Sequence, residues 1–474
     1  MAFSVNVACR KHLALRGHCH ILNFIDRYVQ FNAKHDAPKD YHLWLGAYLV
    51  GASLSRKAWL GNLDQNPIFP NLYVCLVGPQ GLLFKSTCID AANRILTKSE
   101  VIHAAMPDAA RRECLAMELK DLQFPPSAEI QNWSEVIKGA EAAFMISELS
   151  DLLGSSMRKD DEVLNWIQSW YDSRPPWRPW RYRTVKRYNN PETLYQLCVH
   201  LAAATTPKYI RGRFPEGCTE EGLGSRFIWV IKTAADIQRV RYGWGWDARE
   251  EQEIIQALRG IHDDKSRHGQ YTLADESKPM FKDWLDLWRA ELIANSESPI
   301  GGFLARKQTH LLKLAMIRAA AQLDREEPLL ILPQDLAWAS DRIAELTPGL
   351  AKLFNALNLD QATRVALQMR ECLRNSFVDL EPQKITVNER QVDLGGPVRG
   401  MVLKAFRAKY TVEVGDYLAQ KGLNTLQSAG WAMTFPVKVS VRGLRGRREI
   451  LIYSEEGEEG QTDEHSGKPA VQND

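Results

Sequence analysis

Residues 70–87, PNLYVCLVGPQGLLFKST, constrain the fold more than any other stretch of the chain. The apolar run Leu72 to Val77 predicts a buried strand, and Gly78, Pro79 and Gly81 break it. Lys85-Ser86-Thr87 then opens a helical pattern that continues to Leu96. Strand, glycine loop, Lys-Ser/Thr and helix form the layout of a phosphate-binding P-loop. Loop N–H groups and the positive end of the helix converge on one point, which favours an anion. In that layout Gly78 and Gly81 shape the loop and Lys85 reaches the β/γ-phosphates of ATP. The Ser86 hydroxyl holds Mg²⁺, and Thr87 supports the helix start.

The spacing departs from G-x-x-x-x-G-K-[ST]. Gly78 to Lys85 is one residue longer, and Phe84 stands where the second glycine belongs. Phenylalanine takes φ > 0 only at a cost, so the loop must bulge or Gly81 must supply the special backbone. The alternative is an ordinary strand–turn–helix that carries Lys-Ser-Thr.

Other features bound the class. A chain of 474 residues suits two or three domains, and a net charge of +2 confines any basic surface to a local patch. The eight cysteines form no C-x-x-C pair and sit mostly in apolar contexts, as expected in a reducing cytosol. The Cys9, His12, His18, Cys19, His20 cluster matches no standard zinc spacing. No apolar run approaches ~20 residues, and the N-terminus lacks a signal-peptide pattern. A cytoplasmic protein without a membrane segment is expected.

Periodicity divides the chain. Residues 1–65 form a helical N-terminal segment, with helices over His20–Phe31 and Tyr41–Leu60, the second N-capped by Asp40. Residues 66–235 form an α/β core with a mainly parallel sheet. Its strands are Leu72–Val77, Ala143–Ser147, Leu197–Thr205 and Arg226–Ile231. Residues 236–360 form a helical lid or insert, including His310–Gln322 and Pro333–Leu346 with Asp335 near its start. Residues 361–453 form a small C-terminal α+β module: a helix over 362–380, a second over Val412–Lys421, and β-rich ends at Ala432–Val441 and Arg448–Tyr453. Residues 454–474 are an acidic tail expected to be disordered.

Further residues bear on chemistry. Ala143-Phe144-Met145-Ile146-Ser147-Glu148 is an apolar strand ending in a carboxylate, and Glu148 there polarises an attacking water. Ser147 stands where a magnesium-side Asp is usual, with Asp151 nearby. The alternative makes Glu148 a first-turn helix carboxylate. Leu201-Ala202-Ala203-Ala204-Thr205-Thr206-Pro207 is a small-residue strand whose hydroxyls, Thr205 and Thr206, suit a γ-phosphate sensor or a turn cap. Arg226, at the mouth of the strand in GLGSRFIWV, is either an arginine finger toward a neighbouring subunit's γ-phosphate or a structural ion pair.

Residues 170–188, WYDSRPPWRPWRYRTVKRY, interleave Arg178, Arg181 and Arg183 with Trp177 and Trp180. Cations alternating with rings suit single-stranded nucleic acid, through phosphate contacts and base stacking. The alternative is a hairpin whose rings pack inward. At 402–453, helices and a ribbon with Lys438, Arg442, Arg445, Arg447 and Arg448 resemble a winged-helix module suited to phosphates, or a protein-contact lid.

Taken in order, PNLYVCLVGPQGLLFKST, FMISELSDLLG, AAATTP, GLGSRFIWV and HLLKLAMIRAA resemble a family of phage, prophage and mobile-element P-loop ATPases related to the helicase part of primase–helicases. The resemblance runs from about Tyr41 to Leu346 and includes the longer Gly-to-Lys spacing. It implies an α/β fold with a RecA/AAA-type P-loop NTPase core, ATP and Mg as cofactors, and nucleotide binding by Lys85, Ser86 and Thr87. It also implies hydrolysis by Glu148, a finger role for Arg226, and a homo-oligomer in a ring or partial ring. The function expected is a helicase-like ATPase acting on nucleic acid. Two rivals stand beside it: an ATP-binding switch or scaffold in a defence or packaging assembly with weak hydrolysis, and a DNA-binding adaptor with a degenerate P-loop.

Overall fold

The computed structural model describes residues 23–453 except 106–111, 127–128, 130–132, 151–161, 183–191, 214–221, 238–246, 297, 358–360, 388–389, 415, 430–431 and 435–437. Asp151, Arg183 and the Cys9–His20 cluster lie outside the described residues. The chain divides into two units, residues 1–357 and 358–474.

In the first unit the strands are β1 Ala58–Leu60, β2 Tyr73–Val77, β3 His103–Ala105, β4 Glu141–Ile146, β5 Trp180–Tyr182, β6 Glu192–Leu194, β7 Cys198–Thr205, β8 Phe227–Ile231, β9 Gly269–Leu273 and β10 Leu330–Ile331. Five of them form one sheet in the order β3-β4-β7-β2-β8, with every pairing parallel. β2 and β7 are buried at every position, which is why their sequences run apolar without alternation. All strands of this sheet share one direction, so the loops after β2, β4, β7 and β8 gather at one end. Ligands of open α/β sheets collect at that carboxyl end.

Helices cover the sheet, and one apolar core runs from Phe24 to Phe354. The helix Lys39–Leu54 is buried nearly all round; a Cβ on Gly51 would lie 2.5 Å from the Pro70 carbonyl oxygen, so only glycine admits this approach. The helices expected as a separate N-terminal segment and as a lid, Phe24–Asn32, Lys39–Leu54 and Gly301–Ala320, share this core with the sheet.

Three expectations for this unit change. The helix expected over Tyr41–Leu60 stops at Leu54, because Ser55 at φ 43 turns the chain into β1. Asp40 does not cap it: Pro38 holds that position, and Asp40 pairs with Lys232. The tract 236–300 contains β9, which lies between β1 and β10 in a second parallel sheet.

The second unit contains the helix Gln361–Arg374, strands β11 Phe377–Val387 and β12 Arg390–Val402, helices Leu403–Val414 and Asp416–Ser428, and strands β13 Ala432–Thr434 and β14 Ile450–Tyr453. Its sheet is antiparallel, in the order β11-β12-β14-β13. The helix expected over 362–380 ends at Arg374, and the long hairpin that follows was not expected. Gly395, Gly396 and Pro397 argue against a strand interior; the hairpin accommodates them with an irregular register between Leu380 and Gln383 and with Gly396 at φ 83. The single helix expected over Val412–Lys421 is the junction of two.

No helix among the described residues is long and apolar enough to cross a membrane.

Candidate functional site at the carboxyl end of the parallel sheet

β2 ends at Val77, and the loop 78–84 leads into the helix Lys85–Ser99. Gly78 sits in a tight corner: a Cβ there would lie 2.5 Å from Leu83 Cδ1 and 2.7 Å from the Tyr41 hydroxyl. That hydroxyl donates to the Val77 carbonyl at 2.8 Å, anchoring the strand end. Gly81 supplies a positive φ of +72, and Phe84, expected to avoid one, also takes φ 50, ψ 33, left-handed, directly before the helix. Leu83 is buried while Leu82 and Phe84 on either side are exposed. The buried leucine pins the loop, and the strained phenylalanine turns the backbone into the helix start.

Lys85 is buried, and its Nζ donates to the Pro79 carbonyl at 2.8 Å, so the cation curls over the loop. Burial lowers its pKa below the usual lysine range, against an opposing pull from the Glu148 carboxylate. The Ser86 hydroxyl faces the Ser147 carbonyl at 3.5 Å. The helix start therefore reaches the end of β4, where exposed Glu148 accepts from the Ser150 hydroxyl at 3.2 Å. β4 is not the immediate neighbour of β2: β7 lies between them. Thr205, at the end of β7, pairs with Val77, and its carbonyl accepts from the Gly78 N–H at 3.3 Å. Gly78, Gly81, Lys85, Ser86, Thr87, Glu148 and Thr205 thus share one end of the sheet. Thr206 does otherwise: its hydroxyl accepts from the Tyr209 N–H at 3.1 Å and caps the helix Pro207–Arg213.

Arg226 does not join this group. It stands just before β8, at the amino end of the sheet, separated from the Lys85 loop by about 16 Å of strand. Its guanidinium donates to Asp172 and to the Gly222 carbonyl, each at 2.7 Å. Arg306 binds the same carboxylate, and against a partial loss of hydration the two arginines hold Asp172 below the usual carboxylate range.

The aromatic–basic segment splits. Trp180 is buried against Trp166, Trp170 and Tyr182, and its indole N–H donates to the Ser169 hydroxyl at 3.0 Å. A ring enclosed in this way offers no face to a base, which corrects the expectation for Trp180. Trp177 is 48% exposed, with its N–H on the Asp64 carbonyl. Arg178 and Arg181 are exposed, the latter on β5 beside β6.

Two groups escaped the sequence reasoning. Tyr41 is remote in sequence from the loop it anchors, and no motif announces it. Lys313 is a lone cation among Leu311, Leu312 and Leu314, all buried; a charge interrupting an apolar helix face is a signal that the sequence does carry. Among the described residues, no group of three or more His, Cys, Asp or Glu side chains is placed to hold a metal ion. In comparisons with known proteins, no protein-family model and no curated protein match the chain.

Proposed function

We propose that this chain is an ATP-dependent, helicase-like P-loop ATPase that acts on nucleic acid as a homo-oligomer, with a RecA/AAA-type core. The observation that carries the proposal is the convergence of the Lys85 loop, the Ser86 hydroxyl, Thr205 and Glu148 at the carboxyl end of one parallel sheet. In this reading Lys85 leaves the Pro79 carbonyl for the β/γ-phosphates, because a buried cation gains more from an anion than from a carbonyl. Ser86 would hold Mg²⁺, whose charge helps neutralise the phosphates. Glu148 orients the attacking water. Thr205 senses the phosphate from the strand between loop and carboxylate. The Arg226–Asp172 pair favours the structural alternative for Arg226, so the proposed chemistry proceeds without that finger.

The order β12-β14-β13, with two helices between β12 and β13 in the chain, supports a winged-helix-like reading of the second unit. Exposed Arg445 and Arg447 lie on the ribbon between β13 and β14. Ser147 in place of a carboxylate favours slow turnover, as in an ATP-binding switch. Titrating a fluorescent ATP analogue tests the core claim. Binding should occur with the parent chain, vanish in Lys85→Ala and persist in Glu148→Gln. Equal binding by the parent and Lys85→Ala would refute the loop's assignment.

A further inference from the structure

At the amino end of the parallel sheet lies a cleft of about 680 Å³. Among the described residues, Arg174, Arg178, Arg226, Arg306 and Lys313 line it with one carboxylate, Asp172. That carboxylate already serves both Arg226 and Arg306. Lys313 has 3% exposure and, among the described residues, no carboxylate in ion-pair contact; its Nζ donates to the Asn71 carbonyl at 2.9 Å and to Asn71 Oδ1 at 2.7 Å, and it stands 3.8 Å over the Tyr171 ring. Burial pulls its pKa to about 7. Arg226 has 7% exposure, and its Nε has no hydrogen-bond partner among the described residues. Excess positive charge in a concave, low-dielectric site is costly unless an anion joins it, and the field focuses toward such an anion.

The chemistry favours phosphate. Several guanidinium forks lining one space match a tetrahedral group with many acceptor oxygens. The volume suits one nucleotide-sized unit. Trp177, exposed and bonded through its N–H to the carbonyl of Asp64, lies beside the cleft, next in sequence to the lining residue Arg178. We infer that this cleft is a second phosphate site, separate from the Lys85 loop, which seats the phosphate of a nucleotide while Trp177 stacks on its base. The nucleotide is either free or part of a single strand. The inference deepens the nucleic-acid half of the proposed function and rests on it; it does not depend on the ATPase half.

The test titrates the full-length chain with fluorescein-labelled oligo-dT and, separately, with fluorescent AMP, at several salt concentrations. Arg178 is exposed, so Arg178→Gln leaves the fold intact and tests the site even if Arg306→Gln is unstable. Each variant should weaken binding about tenfold, the loss of one charge-assisted contact, and should flatten the salt slope. Trp177→Ala should weaken binding with the slope unchanged. The doubly substituted ribbon variant Arg445→Gln, Arg447→Gln serves as the comparison: whatever affinity it loses, Arg178→Gln or Arg306→Gln should lower its binding about tenfold further. Cleft-dependent binding of oligo-dT identifies a strand as the source, and cleft-dependent binding of AMP alone identifies a free nucleotide. If oligo-dT binds but only the ribbon variant weakens it, the cleft inference fails while the nucleic-acid reading stands. If the folded parent binds neither probe, both fail.

Discussion

Phe84 holds a left-handed backbone that side chains other than glycine and asparagine avoid, at a cost of about 1–2 kcal/mol. Its ring is half exposed, so packing does not compensate fully. Phe84→Gly should therefore leave stability within about 1 kcal/mol of the parent, because relief of strain offsets the flexibility that glycine adds to the unfolded chain. Phe84→Val should cost about 1–2 kcal/mol, since a β-branched residue suits φ > 0 worse. Denaturant midpoints decide; a Val variant as stable as the Gly variant would show that the strain is absent. At Lys85 and Glu148 the expected losses differ in kind. Lys85→Ala should remove nucleotide binding, whereas Glu148→Gln should keep it and lower turnover at least a hundredfold. Joint loss of binding in both variants would make Glu148 structural. The strand, loop and helix over 73–99 were legible from residue types, because the apolar run ends at Gly78-Pro79 and the helical pattern begins at Lys85. The left-handed Phe84 was not, because the same residues fit a loop in which Gly81 alone supplies the positive φ.

Among the elements, buried strands were the most legible. β2, β4, β7 and β8 emerged within two residues of expectation, since unbroken apolar runs leave little choice of state. The hairpin Phe377–Val402 was hidden by Gly395, Gly396 and Pro397, and pairing between its two strands overrode that local signal. The element β5 illustrates a different limit. Alternation of rings and cations suited a stacking surface and a packed hairpin equally well, and only the fold separates Trp177 from Trp180. Trp180→Ala should cost about 3–5 kcal/mol by opening a cavity against Trp166 and Trp170. Trp177→Ala should change stability by less than about 1 kcal/mol, because the ring is half exposed. Thermal unfolding of the two variants tests this, and similar losses would place both rings in the core.

For the whole molecule, one apolar core unites residues that periodicity had divided at 65 and 235, whereas the division at 357/358 lies beside the expected boundary at 360/361. Periodicity reports which face of each element is buried, but not which elements share a core. Within that core three histidines are buried and neutral. Burial first, with His35 beside His42 and Lys313 beside His200 second, lowers both to about 3, and burial lowers His310 to about 4 despite its bond to the Ser225 carbonyl. The unfolded chain protonates these groups near pH 6.5, so between 6.5 and about 4 it binds more protons than the folded chain. Stability is therefore full above pH 6.5 and falls as the pH drops through that window. Denaturant midpoints should decline between pH 6.5 and 5, and His200→Leu should flatten the decline; an unchanged slope would mean that His200 titrates normally.

The central claim joins two ends of one sheet, nucleotide chemistry at the carboxyl end and nucleic-acid binding at the amino end. The most direct measurement is the ATP hydrolysis rate of the purified chain with and without single-stranded DNA, using Lys85→Ala as the reference. The account predicts a slow basal rate that rises several-fold with the strand and is absent from Lys85→Ala. A rate that is the same in the parent and Lys85→Ala, with or without the strand, would contradict it.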